Sequence, residues 1–400
     1  MPTFFIIALS IWFGAHFYLG WRFIKPAKLE HPWKGVAWAS IFLLGATVPL
    51  VFWLGRQLDR PEWTDSIFWI AYVHMGLLCL VFFMTLGRDL VVGLMNLFGR
   101  SERRQIKKVA VEGVPKEHGG VDPSRRAFLT NATNAGILGV GGTLSAVGYV
   151  NARREPAVVE VDIPVKGLPG ALEGFKVVQI SDVHVGPTVR RPFVQTVVDR
   201  INTLDADMVA VTGDLIDGDV RERWDDLQPL KDIASKHGTF YVTGNHEYYW
   251  GGQRCIDAVK RLGMKVLLNE HQVVEHDQER VVVAGVTDLQ QGGNIPGQDS
   301  DPAAAIKGAP EAGFKLLLAH QPRSVFAAAG QGYDLQISGH THGGQFAPWS
   351  FFVWLAQPFT AGLHIFKDTM IYVSRGTGYW GPPMRLAAPS EITLLKLRAA

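Results

Sequence analysis

The pattern of apolar positions divides the chain near residue 155. Before it, the runs "FFIIALSIWFGAHFYLGW", "GVAWASIFLLGATVPLVFWLG" and "SIFWIAYVHMGLLCLVFFMTLG" are apolar enough to span a bilayer, which takes roughly 20 helical residues. Beyond it the apolar stretches shorten to strand length: "FKVVQIS", "MVAVTG", "TFYVTG", "KVLLN", "RVVVAGV", "FKLLLAH", "YDLQISG", "TMIYVSR" and "EITLLKL". Helical stretches such as "VRRPFVQTVVDRINTL" separate several of them. Strands apolar along their whole length suit sheets covered on both faces. The pattern predicts an α/β fold, two sheets sandwiched between helices, preceded by an α-helical transmembrane region. The expected divisions are 1–100 with three membrane helices, 101–126 as a basic cytoplasmic linker, 127–150 as a further apolar segment, and 157–400 as the folded domain.

Composition adds little to this. At 47% hydrophobic over 400 residues the chain can bury a full-sized core, and a net charge of +2 with no basic stripe argues against nucleic acid as a partner. Cys79, in an apolar run, and Cys255, in an expected surface helix, form neither a metal cluster nor a pair. His16 and His74 inside the apolar runs read as packing residues.

Charge placement is more informative, because Lys and Arg resist translocation. Arg22, Lys25, Lys28 and Lys34 follow the first run, and Arg100, Arg103, Arg104, Lys107 and Lys108 follow the third; Arg56 and Arg60 after the second are offset by Asp59, Glu62 and Asp65. The first and third connections are therefore expected in the cytoplasm. Next, "DPSRRAFLTNATNAGILGVGGTLSAVGYVNAR" pairs Arg125 with Arg126 ahead of a mildly hydrophobic, Gly-rich stretch. This reads as an internal twin-arginine signal for the export machinery, or as a fourth span. Either way the chain crosses outward, which places the domain on the periplasmic side of a bacterial inner membrane.

In the domain, polar residues concentrate where the strands end. "QISDVHVG" carries Asp182 and His184; "VTGDLIDG" Asp214 and Asp217; "VTGNHEYY" Asn245 and His246; "LLLAHQP" His320; "ISGHTHGG" His340 and His342. In open α/β sheets ligands bind beyond the carboxyl ends of the strands, so five strands deliver Asp, His and Asn into one crevice. Residues two apart on extended chain point the same way, so Asp182 with His184, and His340 with His342, each offer two ligands to one locus. Gly213, Gly244 and Gly339 stand before ligand residues, where bare backbone permits close approach. This chemistry suits a two-metal centre, with ions about 3.5–4 Å apart clamping a phosphate and activating water, and Asp214 as the bridging carboxylate. Nitrogen-rich ligands favour manganese, iron or zinc over magnesium.

The ordered blocks D-x-H, GD-x-x-D, GNHE, a lone His and GH-x-H resemble the calcineurin-like metallophosphoesterases, from about residue 173 onward. The resemblance implies that family's four-layer α-β-β-α sandwich and phosphoester hydrolysis by a metal-activated hydroxide. It implies Asp182, His184, Asp214 and His342 around one metal, and Asp214, Asn245, His320 and His340 around the other. It also implies His246 beside the leaving group, oriented by Asp217; Glu247 is expected to stand behind the ligands or to be structural. Arg375 and Arg385 are candidate phosphate contacts, and His271, His276 and His364 are expected to be ordinary surface or packing residues.

The stretch "FAPWSFFVWLAQPF" after the ligand histidines reads either as a core strand or as an exposed patch touching lipid. With the membrane spans it suggests a lipid-linked or amphiphilic substrate. The chain also looks like membrane-associated bacterial phosphoesterases related to hydrolases of UDP-2,3-diacylglucosamine. The alternative is a non-catalytic metal-binding membrane sensor or assembly factor.

Overall fold

The computed structural model describes residues 2–55, 57, 62–109 and 123–400. Arg56, Asp59, Arg60 and residues 110–122 of the expected linker lie outside them. The chain forms two compact units, Met1–Arg56 with Ser66–Ala146, and Gln57–Asp65 with Val147–Ala400.

The first unit is built on helices α1 (Pro2–Ala27), α2 (Trp33–Leu54), α3 (Thr64–Val109) and the greater part of α4 (Pro123–Arg153). Trp33–Leu54, Thr64–Phe98 and Ser124–Arg153 are each long and apolar enough to cross a membrane. Helix α3 continues to Val109, so the first part of the segment expected as linker is helical. That extension, "SERRQIKKV", contains several good helix formers and neither Gly nor Pro. Val48 and Val51 of α2 pack on Phe68 and Ala71 of α3, and Leu19, Val81 and Ile137 join α1, α3 and α4. The His16 and His74 rings lie 5.1 Å apart, with Trp12 edge-on to both.

The second unit has strands β1 (Ala157–Val165), β2 (Lys176–Ile180), β3 (Met208–Thr212), β4 (Thr239–Val242), β5 (Lys265–Val266), β6 (Glu270–His276), β7 (Glu279–Gly285), β8 (Phe314–Leu318), β9 (Leu335–Ser338), β10 (Gly362–Phe366), β11 (Thr369–Val373) and β12 (Glu391–Ala399). They form two six-stranded sheets, ordered β1-β12-β2-β3-β4-β5 and β10-β11-β9-β8-β7-β6. Strands β2 to β5 run parallel, as do β7, β8, β9 and β11, whereas β6 and β10 pair antiparallel.

Period-two alternation sorts each strand's side chains between two cores. Val177, Met208, Ala210, Phe240 and Val242 face Val283, Phe314, Leu316 and Ile337 between the sheets. Their neighbours Val178, Ile180, Val209, Val211 and Tyr241 pack under helices α5 (Arg191–Asn202) and α7 (Gly252–Arg261). Between β4 and α7 lies the short helix α6 (Asn245–Tyr249). On the far side, Ala284, Leu317 and Ala319 meet Ala305, Ala328 and Tyr333. The expected four-layer sandwich is thus formed, and the parallel strands β2, β3, β4, β8 and β9 end at the loops that carry the candidate ligands.

Candidate metal centre

Every ligand candidate sits within a few residues of a strand's carboxyl end, and five do so with left-handed backbone: Asp182 (φ 54°), His184 (φ 53°), Asp214 (φ 48°), His340 (φ 69°) and His342 (φ 52°). The extended conformation expected for the D-x-H and H-x-H pairs is therefore corrected. Left-handed turns aim these side chains, at a cost of about 1–3 kcal/mol per residue. Neighbouring strands offset that cost, since each fully buried large apolar side chain contributes about 1.5–3 kcal/mol. The preceding glycines act as expected. A Cβ on Gly339 would overlap Ser181 Oγ and Asp182 Oδ2, one on Gly244 would overlap Asp214 Oδ1, and one on Gly213 would lie 2.7 Å from His320 Nδ1.

Three groups of side chains bring candidate ligand atoms together: Asp182, His184 and His342; Asp214, His320 and His340; and His184, Asp217 and His246. His340 and His342 thus face different groups although one residue separates them. In the first group His184 Nε2 is 3.1 Å from His342 Nε2, and His342 Nε2 is 3.4 Å from Asp182 Oδ1. In the second, His320 Nε2 lies 3.2 Å from Asp214 Oδ2, 3.2 Å from His340 Nδ1 and 3.3 Å from Asn245 Oδ1. Asp214 stands between the groups, with Oδ2 also 3.8 Å from His184 Nε2.

These distances fit a metal. Two nitrogens bound tetrahedrally to one ion at about 2.0–2.1 Å lie roughly 3.3 Å apart. His320 donates Nδ1–H to the Thr212 carbonyl at 2.7 Å, which turns Nε2 toward the other ligands as in many metal-bound histidines. His184 Nδ1 is buried and has no hydrogen-bond partner among the described residues.

Electrostatics favours the same use. Burial, reinforced by the His246 charge, lowers His184 to about 3, and burial with the His320 charge lowers His340 to about 3, so both are neutral and carry lone pairs. Burial raises Asp182 to about 6. Asp214 goes the other way: against burial, His320 and His246 hold it well below the usual carboxylate range. Burial also opposes a proton on His320, but Asp214 and Asp182 outweigh it and raise the pKa; a cation at that place displaces the proton.

His246 belongs to the third group and to neither of the first two. Its Nδ1–H donates to Asp217 Oδ1 at 2.9 Å, the same oxygen that accepts Trp250 Nε1–H at 2.9 Å, and its backbone N–H donates to Asp214 Oδ1 at 2.8 Å. Tyr249 and Trp380 close against the ring, with centroids 5.2 and 5.4 Å away. Burial would lower its pKa, but Asp214 and Asp217 raise it to about 9.

Two carboxylates complete the site. Glu247 accepts four backbone N–H groups, Asp214 and Gly244 on Oε2 at 3.1 and 2.8 Å and Leu215 and Ile216 on Oε1 at 2.8 and 3.0 Å. It clamps the loops that carry Asp214 and Asn245. Asp288, which the sequence pattern did not single out, ends "VVVAGVTD" after β7 and is buried near His320, accepting from Gln321 Nε2 at 2.8 Å. Its position beyond a parallel strand was the available signal.

The expectation that Arg385 touches phosphate is corrected. It is 1% exposed, and its guanidinium is committed to the carbonyls of His342, Arg375, Gly378 and Ala388, so it braces the ligand loop from below. Arg375 is 36% exposed, ion-paired to Glu391 at 2.9 Å, and lies against Gly343 next to His342. His271 and His364 bond to the carbonyls of Ala305 and Ala361, and His276 pairs with His237.

The family match and the relatives' names support a metal-dependent phosphoesterase. Residues 175–344, which include all the ligand candidates, match the family of calcineurin-like phosphoesterases. Over 385 residues, 94% of this chain and 82% of the relative, it is 38% identical to a Danio rerio transmembrane protein with metallophosphoesterase domain. It is 31% identical to an uncharacterised metallophosphoesterase of Campylobacter jejuni, over 98% of this chain and 97% of that one. A 5'-nucleotidase precursor from Thermus thermophilus aligns with a TM-score of 0.36 and 16% identity, over 56% of this chain and 54% of that one. The chain belongs to the calcineurin-like phosphoesterase family.

Proposed function

We propose that this chain is a membrane-anchored two-metal phosphoesterase acting on a lipid-linked or amphiphilic phosphoester. One observation carries the reading: side chains from five strand ends converge beside a His246–Asp217 pair. In this reading Asp182, His184, Asp214 and His342 hold one ion, and Asp214, Asn245, His320 and His340 hold the other. The mixed nitrogen and oxygen donors suit manganese, iron or zinc. Two bound ions supply Lewis-acid neutralisation of the phosphate and lower the pKa of water.

The remaining chemistry belongs to the side chains. Asp217 fixes the His246 ring through Nδ1, so Nε2 faces the crevice bearing the proton that a leaving alkoxide needs. A cation held beside Asp214 would offset part of the negative charge that raises the His246 pKa to about 9. Arg375, at the rim, serves as the phosphate contact.

Support for an amphiphilic substrate comes from "FAPWSFFVWLAQPF". It is neither a core strand nor a loop: Trp349–Ala356 form helix α8, and all eight of its residues are exposed or half-buried. Trp349, Phe351, Phe352, Trp354 and Leu355 present their side chains to solvent. Gly344 packs against Ser350, which holds this helix at the rim beside His342. This exposed apolar helix supports the reading that acyl chains sit beside the phosphate crevice.

The Lys and Arg distribution supports placing the domain outside a bacterial cytoplasmic membrane, exported through the Arg125–Arg126 pair. A reporter fused at residue 160 is expected to be active only in the periplasm; activity only in the cytosol reverses the topology.

The purified full chain, loaded with manganese or zinc, is expected to hydrolyse bis-p-nitrophenyl phosphate or p-nitrophenyl phosphate. His246→Asn should lower the rate about 10²–10⁴-fold with metal content unchanged by elemental analysis. A chain that binds two metals yet turns over neither compound is a metal-binding sensor, and the proposal fails. Micellar UDP-2,3-diacylglucosamine set against a soluble nucleotide diester tests the lipid preference.

A further inference from the structure

Unit 1 carries a polar cluster that the phosphoesterase reading does not use. Near the end of α1, Tyr18 and Arg22 both donate to Asp89 Oδ2 of α3, Arg22 Nε at 2.5 Å. Arg88 donates to Asp89 Oδ1 from Nε at 3.0 Å and Nη2 at 2.9 Å, and from Nη1 to Asn134 Oδ1 of α4. Asn134 Nδ2 returns a bond to the Arg22 carbonyl at 2.9 Å, and Asn131 Nδ2 reaches the Pro26 carbonyl at 3.3 Å. One end of three helices is tied together by charged and amide groups. Such groups on spanning helices are expensive, and they mark function when paired.

Beside this cluster opens a cavity of about 340 Å³ lined by Trp21, Arg22, Lys25, Pro26, Arg88 and Thr130. Three of the six lining residues are cations and none is acidic. Asp89, just behind them, pairs with Arg22 and Arg88, and among the described residues no second carboxylate is paired with the three cations. Trp21 is 42% exposed and carries the cations on its face, with Arg22 Cζ 4.6 Å and Lys25 Nζ 5.8 Å from its ring. Trp is the residue of the membrane–water boundary. Exposed Phe17, Leu90, Val91 and Leu129 lie within a few residues of the cavity lining along the same helices.

Positive charge within a cavity, an interfacial Trp and apolar helix faces together fit a phosphate that carries acyl chains. Basic pockets between spanning helices bind such headgroups. We propose that this cavity binds the phosphate of an anionic phospholipid headgroup, on the side where the Lys and Arg distribution places the cytoplasm. The cavity is separate from the metal-ligand crevice, and its occupant is not the substrate.

The full chain in detergent, titrated with dioleoylphosphatidylglycerol or dioleoylphosphatidylcholine and followed by native mass spectrometry, tests this. Phosphatidylglycerol is expected to bind preferentially. Lys25→Gln should weaken it about fivefold, the contribution of one cation at a membrane surface, and Lys25→Glu should weaken it further. Phosphatidylcholine binding and p-nitrophenyl phosphate hydrolysis should stay unchanged in both variants, which shows that they fold. Equal retention of the two lipids, or phosphatidylglycerol binding that ignores both substitutions, overturns the proposal. Displacement of the lipid by millimolar inorganic phosphate overturns the lipid source and assigns the cavity to a soluble phosphate.

Discussion

Asp214 accepts the His246 backbone N–H on one oxygen, turns the other toward both ligand groups, and holds a left-handed backbone to do so. That geometry depends on Glu247, whose two oxygens take four backbone donors around it. Glu247→Gln replaces one acceptor oxygen with an amide that faces two N–H groups. With each buried donor left unpaired costing about 1–3 kcal/mol, the expected loss is roughly 2–6 kcal/mol, read as a shifted urea midpoint of the full chain. A midpoint unchanged within error removes Glu247 from the framework. The ligand types and their spacing were legible in the sequence because each follows a run of strand residues. The left-handed turns were not, since Asp and His adopt that conformation only where surrounding packing imposes it.

At the scale of elements, the strands read correctly from the sequence are those with continuous apolar runs. Those missed, β1, β6 and β10, are edge strands of the two sheets. Edge strands are half-exposed and interleave charge, as "EHQVVEH" does in β6, so they lack the buried-strand signature. For helix α8 the sequence left two readings open, a core strand or an exposed apolar patch, and the structure takes the second: the segment is a helix whose residues are all exposed or half-buried. Replacing Phe351 and Trp354 by Ser should leave p-nitrophenyl phosphate turnover intact and slow hydrolysis of a micellar lipid-linked phosphoester. Equal effects on the two substrates would show that α8 only supports the fold.

For the whole molecule, stability and metal binding are expected to be coupled, because a cation that binds only the folded arrangement of these side chains stabilises it. Chelator treatment is expected to abolish hydrolysis and lower the thermal midpoint, with both restored by manganese or zinc. Recovery of the midpoint without activity would separate a structural ion from a catalytic one. The sequence by itself determined the helical front third, the α/β domain behind it and the ligand types, because hydrophobic period and strand-end chemistry are local properties. Only the tertiary structure decided that the ligand loops turn through left-handed backbone, that Arg385 is a buried brace, and that α3, α1 and α4 enclose a basic cavity. Those facts depend on which distant segments meet, and a one-dimensional pattern carries no record of the packing that brings them together.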